Sequence, residues 1–513
     1  MIIEPPTTIA AAEELGRVHF VGLGGAALSG LARIMAARGV TVSGSDAKDS
    51  DSLRSLRSLG IRCHVGHAAS HVEGADTVVV STAIAADNVE VRRAAELGLR
   101  LWPRSAAVQS VLLNRRAVVV TGTHGKTTTT SMLATALIAC GADPSYAIGS
   151  TLSSSGLNAA AGSGPIFVAE GDESDGAILV YTPAAAIVTN IDADHLDHFG
   201  TAEAYAAVFE AFLDRIVPGG FLVCCVDDPG AADLAYLARA RGLSVTTVGL
   251  SEDSELRARD LAFDGSTSTY RVEQGGRVLG GVTLQVPGRH YAVDSLAALA
   301  AGLRLGFGFD ELAAGLATFA GTGRRMEPRG EAAGVRVFDS YAHHPSEIAA
   351  DLQAARTLAG PGRVVVCFQP HLFSRTRIFG EQMGAALGAA DAVVVMDVYP
   401  ARELPEPGID GSIVSRAVPL NPRHVVFERV WEQAARRVVE QARPGDLVLT
   451  LGAGDVTEVA ERILALLHAD GDGASDSDDL ADEQKAGGRD DGASKSGGPA
   501  DEQTGAGDQG AVR

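Results

Sequence analysis

Short runs of β-branched and other apolar residues alternate with longer stretches of helical apolar spacing through most of the chain. This alternation predicts an α/β fold of parallel sheets flanked by helices. Strands are predicted over residues 18–21, 40–43, 77–80, 117–121, 166–169 and 186–189. Further runs follow over 220–224, 244–248, 335–338, 364–367, 392–396, 424–427 and 447–450. Together they are too many for one ordinary sheet. The stretch 258–286 alternates differently, as an antiparallel insert turning at Gly275-Gly276. Breaks near 114–116 and in the Gly/Arg-rich linker GTGRRMEPRGEAAG at 321–334 divide the chain. The expected domains are 1–114, 115–322 and 323–468, followed by a disordered acidic tail over 469–513. There is no short internal repeat, which argues against a solenoid.

Composition sharpens two of these points. The tail is Asp, Gly, Ala and Ser without aromatics, too polar to offset the entropy of ordering it. It carries −8 of the formal net charge of −21. An acidic chain argues against a nucleic-acid partner. The N-terminus has neither a basic nor an apolar leader segment, and no run approaches a membrane span. A cytoplasmic protein is expected, monomeric or homodimeric. The five cysteines lack C-x-x-C spacing and read as reduced thiols rather than a disulfide or zinc framework. Before the tail only Lys48 and Lys126 are lysine among arginines.

Four motifs carry chemistry. In HFVGLGGAALSGLA, Gly22, Gly24 and Ala27 fit G-x-G-x-x-G/A between a strand and a helix, with Asp46 ending the next strand. Backbone amides and the helix N-terminus there suit a dinucleotide-like diphosphate. In AVVVTGTHGKTTTTSMLATAL, a strand runs through Gly122, Thr123, His124, Gly125, Lys126, Thr127 and Thr128 into a helix, the setting of a phosphate-binding loop. Lys126 reads as an exposed loop charge whose loss spares the fold, and the Thr127 hydroxyl can ligate magnesium. The clusters AEGDESDG (Glu170, Asp172, Glu173, Asp175) and TNIDADHLDHFG (Asp192, Asp194, His195, Asp197, His198) follow neighbouring strands. Carboxylates there suit magnesium bridging nucleotide phosphates. FDSYAHHPSE, FQPHLFSRTR and DVYPARE place histidines and arginines at later strand ends. Arg375 and Arg377 are expected to grip an anionic or zwitterionic substrate.

These motifs, with VPGRH, GTGRR and GAGDV, occur in an order that resembles the Mur ligases over residues 17–467. The resemblance implies a Rossmann-like N-terminal domain for a UDP-linked substrate, a central P-loop ATPase-type domain and a Rossmann-like C-terminal domain. It implies an ADP-forming ligase that uses ATP and Mg2+ to join L-alanine to the lactyl carboxylate of UDP-N-acetylmuramate through an acyl phosphate. It carries Lys126, Glu170 and His195 over as catalytic residues, and Thr127, Glu170 and His195 as magnesium ligands. Residues 122–128, Arg324 or Arg325, and Asp339 would hold the nucleotide. Gly22, Gly24, Gly25, Asp46, Ser81, Tyr341, His343, Arg375 and Arg377 would hold the substrates.

The chain departs from the family pattern at four places. Tyr291 and Asp294 stand where Asn is usual, and an aspartate beside a nucleotide is expected to replace an amide donor with a repelling charge. Asp-Asp-Tyr reads Asp339-Ser340-Tyr341, EADESD reads EGDESD, and Gly-Met reads Ala27-Leu28. A divergent ligase adding another amino acid or peptide is the alternative. Ser174, where the tripeptide-recycling members carry an aromatic, favours alanine. An NAD-dependent oxidoreductase would leave Lys126 and both acidic clusters without a role. A catalytically inert nucleotide-binding scaffold is the remaining reading.

Overall fold

The computed structural model describes residues 3–85, 87–401 and 403–483, without side chains for Asp197 and for 470–483. Three sheets organise them. The first is parallel, in the order Arg62–Val65, Val42–Asp46, Val18–Val21, Thr77–Val80, Arg100–Pro103. Val18–Val21 and Thr77–Val80 are buried throughout, as central parallel strands must be.

The second sheet has ten strands. At its centre Arg116–Thr121 lies between Ile166–Glu170 and Ala185–Val188, all parallel. The loops after these three strands therefore leave the same edge, where open α/β sheets gather ligands. The insert forms an antiparallel ribbon, Leu256–Asp264, Thr267–Gln274 and Arg277–Leu284, turning at Gly275 and Gly276 with positive φ. The third sheet runs Glu327–Ala332, Val335–Ser340, Leu447–Leu451, Val364–Phe368, Ala392–Met396, Val425–Glu428.

Helix starts follow local chemistry. The side chains of Ser50, Asn88, Thr201 and Asp228 each accept a backbone N–H of the first turn, and Pro229 and Pro345 open their helices. Helix Arg289–Leu305 lies against helix Lys126–Ala139, and one apolar core continues from there under the third sheet.

Several expectations need correction. The linker at 321–334 is half strand: Glu327–Ala332 pairs antiparallel with Val335–Ser340, an edge strand too polar to signal itself. Arg62–Val65 and Arg100–Pro103, both partly exposed edges of the first sheet, escape the apolar pattern for the same reason. Helix Val456–Glu483 continues past Leu467 into the segment expected to be disordered. Elongating a helix whose first turns are already packed needs no new nucleus. Residues 484–513 of that expected tail lie outside the described residues.

Candidate active site

The phosphate loop begins where strand Arg116–Thr121 ends. Gly122 has φ +131, and a β-carbon there would lie 2.2 Å from Thr189 Oγ1, so no other residue fits. Gly125, at φ +80, turns the chain into helix Lys126–Ala139. The loop is fixed from below: the His124 amide donates to Asn190 Oδ1 at 2.8 Å, and Thr123 Oγ1 donates to the Asp192 carbonyl at 3.0 Å.

Lys126 is not an exposed loop charge. Its Nζ donates to the carbonyls of Gly122 (2.6 Å) and Thr123 (2.9 Å) and to Glu173 Oε1 (3.0 Å), and Glu173 is fully buried. Burial alone would lower the Lys126 pKa, but Glu173, Glu170 and Asp172 more than reverse it, so the ammonium stays charged. Burial pushes Glu173 up to about 7 against the pull of that ammonium. The Thr127 hydroxyl donates to Glu170 Oε1 at 3.1 Å, and Glu170 Oε2 accepts the Gly149 amide at 2.6 Å. His195, in left-handed backbone, brings Nε2 to 3.6 Å from Glu173 Oε1. Burial lowers its pKa, leaving a neutral imidazole near pH 7.

These groups face a cleft of about 1210 Å³ whose walls come from all three sheets. Ala27, Gly30 and Thr82 line one end, Lys126, Thr127 and Glu170 the middle, and Arg324, Tyr341 and His343 the far side. Thr127 and Glu170 present paired oxygens, a donor set that suits a hard divalent cation. His124, Asp192 and His344 form another group with one ligand atom each within 4.8 Å. Here His124 also faces Glu347 (3.4 Å), and Asp192 and Glu347 outweigh burial to hold its pKa at about 9. The cluster is therefore an ionic latch between the central and C-terminal sheets. Ser346 Oγ strengthens it by donating to Asp192 Oδ2 at 2.7 Å.

The C-terminal residues take unequal roles. Arg375 is largely buried at the wall of the cleft; its guanidinium bonds both oxygens of Asp194 at 2.9 and 3.0 Å, a second tie across the same boundary. Arg377, two residues along helix Phe373–Leu387, faces outward and pairs with Glu406 at the surface, away from the cleft. The expected two-arginine grip is therefore absent, because positions two apart on a helix point to different faces. Asp339 is fully buried behind the cleft, accepting from Arg324 Nε (3.2 Å), Thr450 Oγ1 (2.6 Å) and Thr457 Oγ1 (2.8 Å). It holds Arg324 rather than touching the cleft.

The N-terminal loop also differs from expectation. Gly22 and Leu23 both donate to the Ser45 carbonyl at 2.9 Å, and Gly24 donates to Asp46 Oδ2 at 2.8 Å. Gly22, Gly24, Gly25, Asp46 and Ser81 do not line the cleft; Ala27, Gly30, Thr82 and Ala83 do. The first loop amides are already paired, so the helix start is what remains for a ligand.

Asp294 removes the anticipated repulsion. It is buried against the phosphate loop: a β-carbon on Gly125 would lie 2.6 Å from its Oδ1. Burial pushes its pKa up to about 8, with Thr129, Arg325 and His124 opposing, so it is a neutral acid at pH 7. Tyr291, also buried, donates its hydroxyl to the Arg325 carbonyl at 3.1 Å. Both line a side pocket of about 320 Å³ with Gly125, Thr128, Asn190 and Arg325. Sequence reasoning missed Arg104, which reaches the cleft and donates to Asp172 at 2.7 Å. No motif signals an isolated arginine at a helix start.

Comparison with known proteins agrees with this architecture. Residues 17–116 match the Mur ligase family catalytic domain, 120–302 the Mur ligase middle domain and 324–454 the Mur ligase glutamate ligase domain. The UDP-N-acetylmuramate--L-alanine ligase of a Nocardioides species is 58% identical over 91% of this chain and 100% of its own length. The enzyme of the same name from Acidothermus cellulolyticus is 50% identical over 89% of this chain and 96% of its own. The crystal structure of UDP-N-acetylmuramate-alanine ligase from Thermotoga maritima superposes with a TM-score of 0.74 at 26% identity, covering 88% of this chain and 99% of that one. With every domain matched in order and close relatives aligned along nearly their whole length, the chain belongs to the Mur ligase family.

Proposed function

We propose that this protein is an ATP-dependent, ADP-forming ligase that joins L-alanine to the lactyl carboxylate of UDP-N-acetylmuramate, a step of peptidoglycan precursor synthesis. The observation that carries this reading is the single cleft walled by all three sheets, with Lys126 at its middle. One end suits the UDP-sugar, the phosphate loop suits ATP, and the C-terminal wall with Tyr341 and His343 suits the amino acid. The corresponding domains are 1–114, 115–322 and 323–468.

The chemistry needs two anions, a carboxylate and the γ-phosphate, to meet. Lys126 stays charged and offers a compact ammonium to the phosphates. Thr127 and Glu170, with His195 nearby, would hold magnesium, which supplies charge neutralisation between the phosphates. The carboxylate attacks the γ-phosphorus and ADP leaves; the alanine amine then attacks the acyl carbon and phosphate leaves. The acyl phosphate is vulnerable to water, so the ties Arg375–Asp194, Ser346–Asp192 and His124–Glu347 matter by holding the C-terminal wall closed. No described helix is long and apolar enough to cross a membrane.

The test is ADP release from ATP and UDP-N-acetylmuramate across the amino acids, glycine and serine included. L-alanine should give the highest kcat/KM. Absence of amino-acid-dependent ADP release would sink the proposal, and preference for another amino acid would replace alanine while leaving the ligase intact.

A further inference from the structure

Away from the cleft, the N-terminal sheet encloses a second cluster of titratable groups. Glu90, in the first turn of helix Val89–Glu96, is fully buried, and no arginine or lysine is paired with it among the described residues. Its Oε1 accepts from His71 Nδ1 at 2.6 Å and from the Ala68 amide at 3.2 Å. Its Oε2 takes Ser45 Oγ at 2.5 Å and His67 Nδ1 at 3.1 Å, and His19 Nε2 stands 3.8 Å away with no other partner. His64 stacks on His71 with ring centres 3.9 Å apart. Burial by itself would raise the Glu90 pKa, yet His19, Ser45, His71 and Ala68 hold it at about 2. A buried carboxylate persists only when surrounded in this way.

The surrounding groups come from separate segments. His19 lies on Val18–Val21, Ser45 on Val42–Asp46, His67 and Ala68 on the loop after Arg62–Val65, and His71 in the short turn Ala69–Val72. Ser45 is the informative one. Its hydroxyl is bonded to Glu90, while its carbonyl accepts the amides of both Gly22 and Leu23 at 2.9 Å. The next residue, Asp46, accepts the Gly24 amide on its side chain and the Gly66 amide on its carbonyl. One buried carboxylate thus bonds the residue whose carbonyl holds Gly22 and Leu23, and stands next to the one whose side chain holds Gly24.

We propose that Glu90 is a positioning residue for the UDP-linked substrate: it fixes Ser45, which fixes the glycine loop, without touching the ligand. This rests on the reading of that end of the cleft given above. Placement errors of about an ångström can cost up to about a hundredfold. The effect should therefore fall on one substrate and spare the other, which a general loss of stability would not do.

The test is calorimetric binding of UDP-N-acetylmuramate to the full chain, with steady-state kinetics beside it. Glu90→Ala should weaken UDP-N-acetylmuramate binding about tenfold or more, with the KM for ATP and the saturated kcat within about twofold of the parent. Glu90→Gln, which keeps the shape and one carbonyl acceptor, should recover part of the loss. Should Glu90→Ala fail to fold, Ser45→Ala removes the hydroxyl's bonds to Glu90 and His67 while leaving the buried carboxylate in place, and is expected to weaken binding about threefold. Unchanged affinity in Ser45→Ala and Glu90→Gln, or equal rises in both KM values, overturns the inference. Failure of the parent chain to bind UDP-N-acetylmuramate at all overturns the functional reading, and this inference with it.

Discussion

The chain contains two loops of the same local design, a buried strand, glycines and a helix start, at Gly22–Gly25 and Gly122–Gly125. They are held by opposite means. The first is closed on itself: its amides go to Ser45 and Asp46 of its own sheet, and the groups caging the Glu90 carboxylate stand behind it. The second is bound to charge and to another sheet, with Lys126 on Glu173, and His124 between Asp192 and Glu347. A glycine-rich strand-to-helix turn therefore fixes only where an anion can approach. Whether the site works through shape or through charge depends on what folds behind the turn.

The largest expected effect tests the charged loop. Lys126→Ala should lower ADP release by about a thousandfold or more in a coupled assay. It should also destabilise the fold by about 3 kcal/mol in a denaturant titration, because buried Glu173 loses its ammonium. Adding Glu173→Gln should recover stability but not turnover; full stability in Lys126→Ala alone would contradict the buried pair.

Gly24→Ala tests the shaped loop. A β-carbon would meet Asp46 Oδ2 at 2.9 Å, so the KM for UDP-N-acetylmuramate should rise about tenfold while that for ATP holds. A rise in both would show that the two loops are not independent.

A smaller, pH-dependent effect belongs to the second loop. The folded pKa of Asp294, about 8, lies above the ordinary 3.8, so the folded state binds the extra proton. Stability contributed by this group must then fall as pH climbs from about 4 to about 8. Above about 8 the new carboxylate beside Gly125 should raise the KM for ATP, by about threefold to tenfold at pH 9. Asp294→Asn should flatten both profiles. Arg377→Ala should matter least, with kinetics within about twofold of the parent, since its ion pair is at the surface.

Much of this was legible in the residues. Apolar runs located most of the central strands within one or two positions, because strands buried on both faces must be apolar; Val42–Asp46, expected over 40–43, ends three later in polar residues. The glycines and Lys126 announced the phosphate loop, since few other arrangements need them, and the two acidic clusters were expected beside it, where Glu170 and Glu173 meet Thr127 and Lys126. What failed to show was of two kinds. Polar edge strands such as Glu327–Ala332 carry no apolar signature. Side chains whose partners are distant in sequence could not be assigned: Arg375 and Asp194 are 181 residues apart, Arg104 and Asp172 are 68 apart.

The sequence by itself determined an α/β chain with a phosphate-binding loop and two acidic clusters, because strand patterns and loop chemistry are local properties, and the order of its motifs resembled the Mur ligases. Only the tertiary structure decided which residues line the cleft and which stand behind it. It moved Asp46, Asp339 and Arg377 out of the cleft and made Asp294 a neutral acid in place of a repelling one. The physical reason is that burial and pairing, which set charge state and direction, are fixed by neighbours that the chain brings together only when it folds.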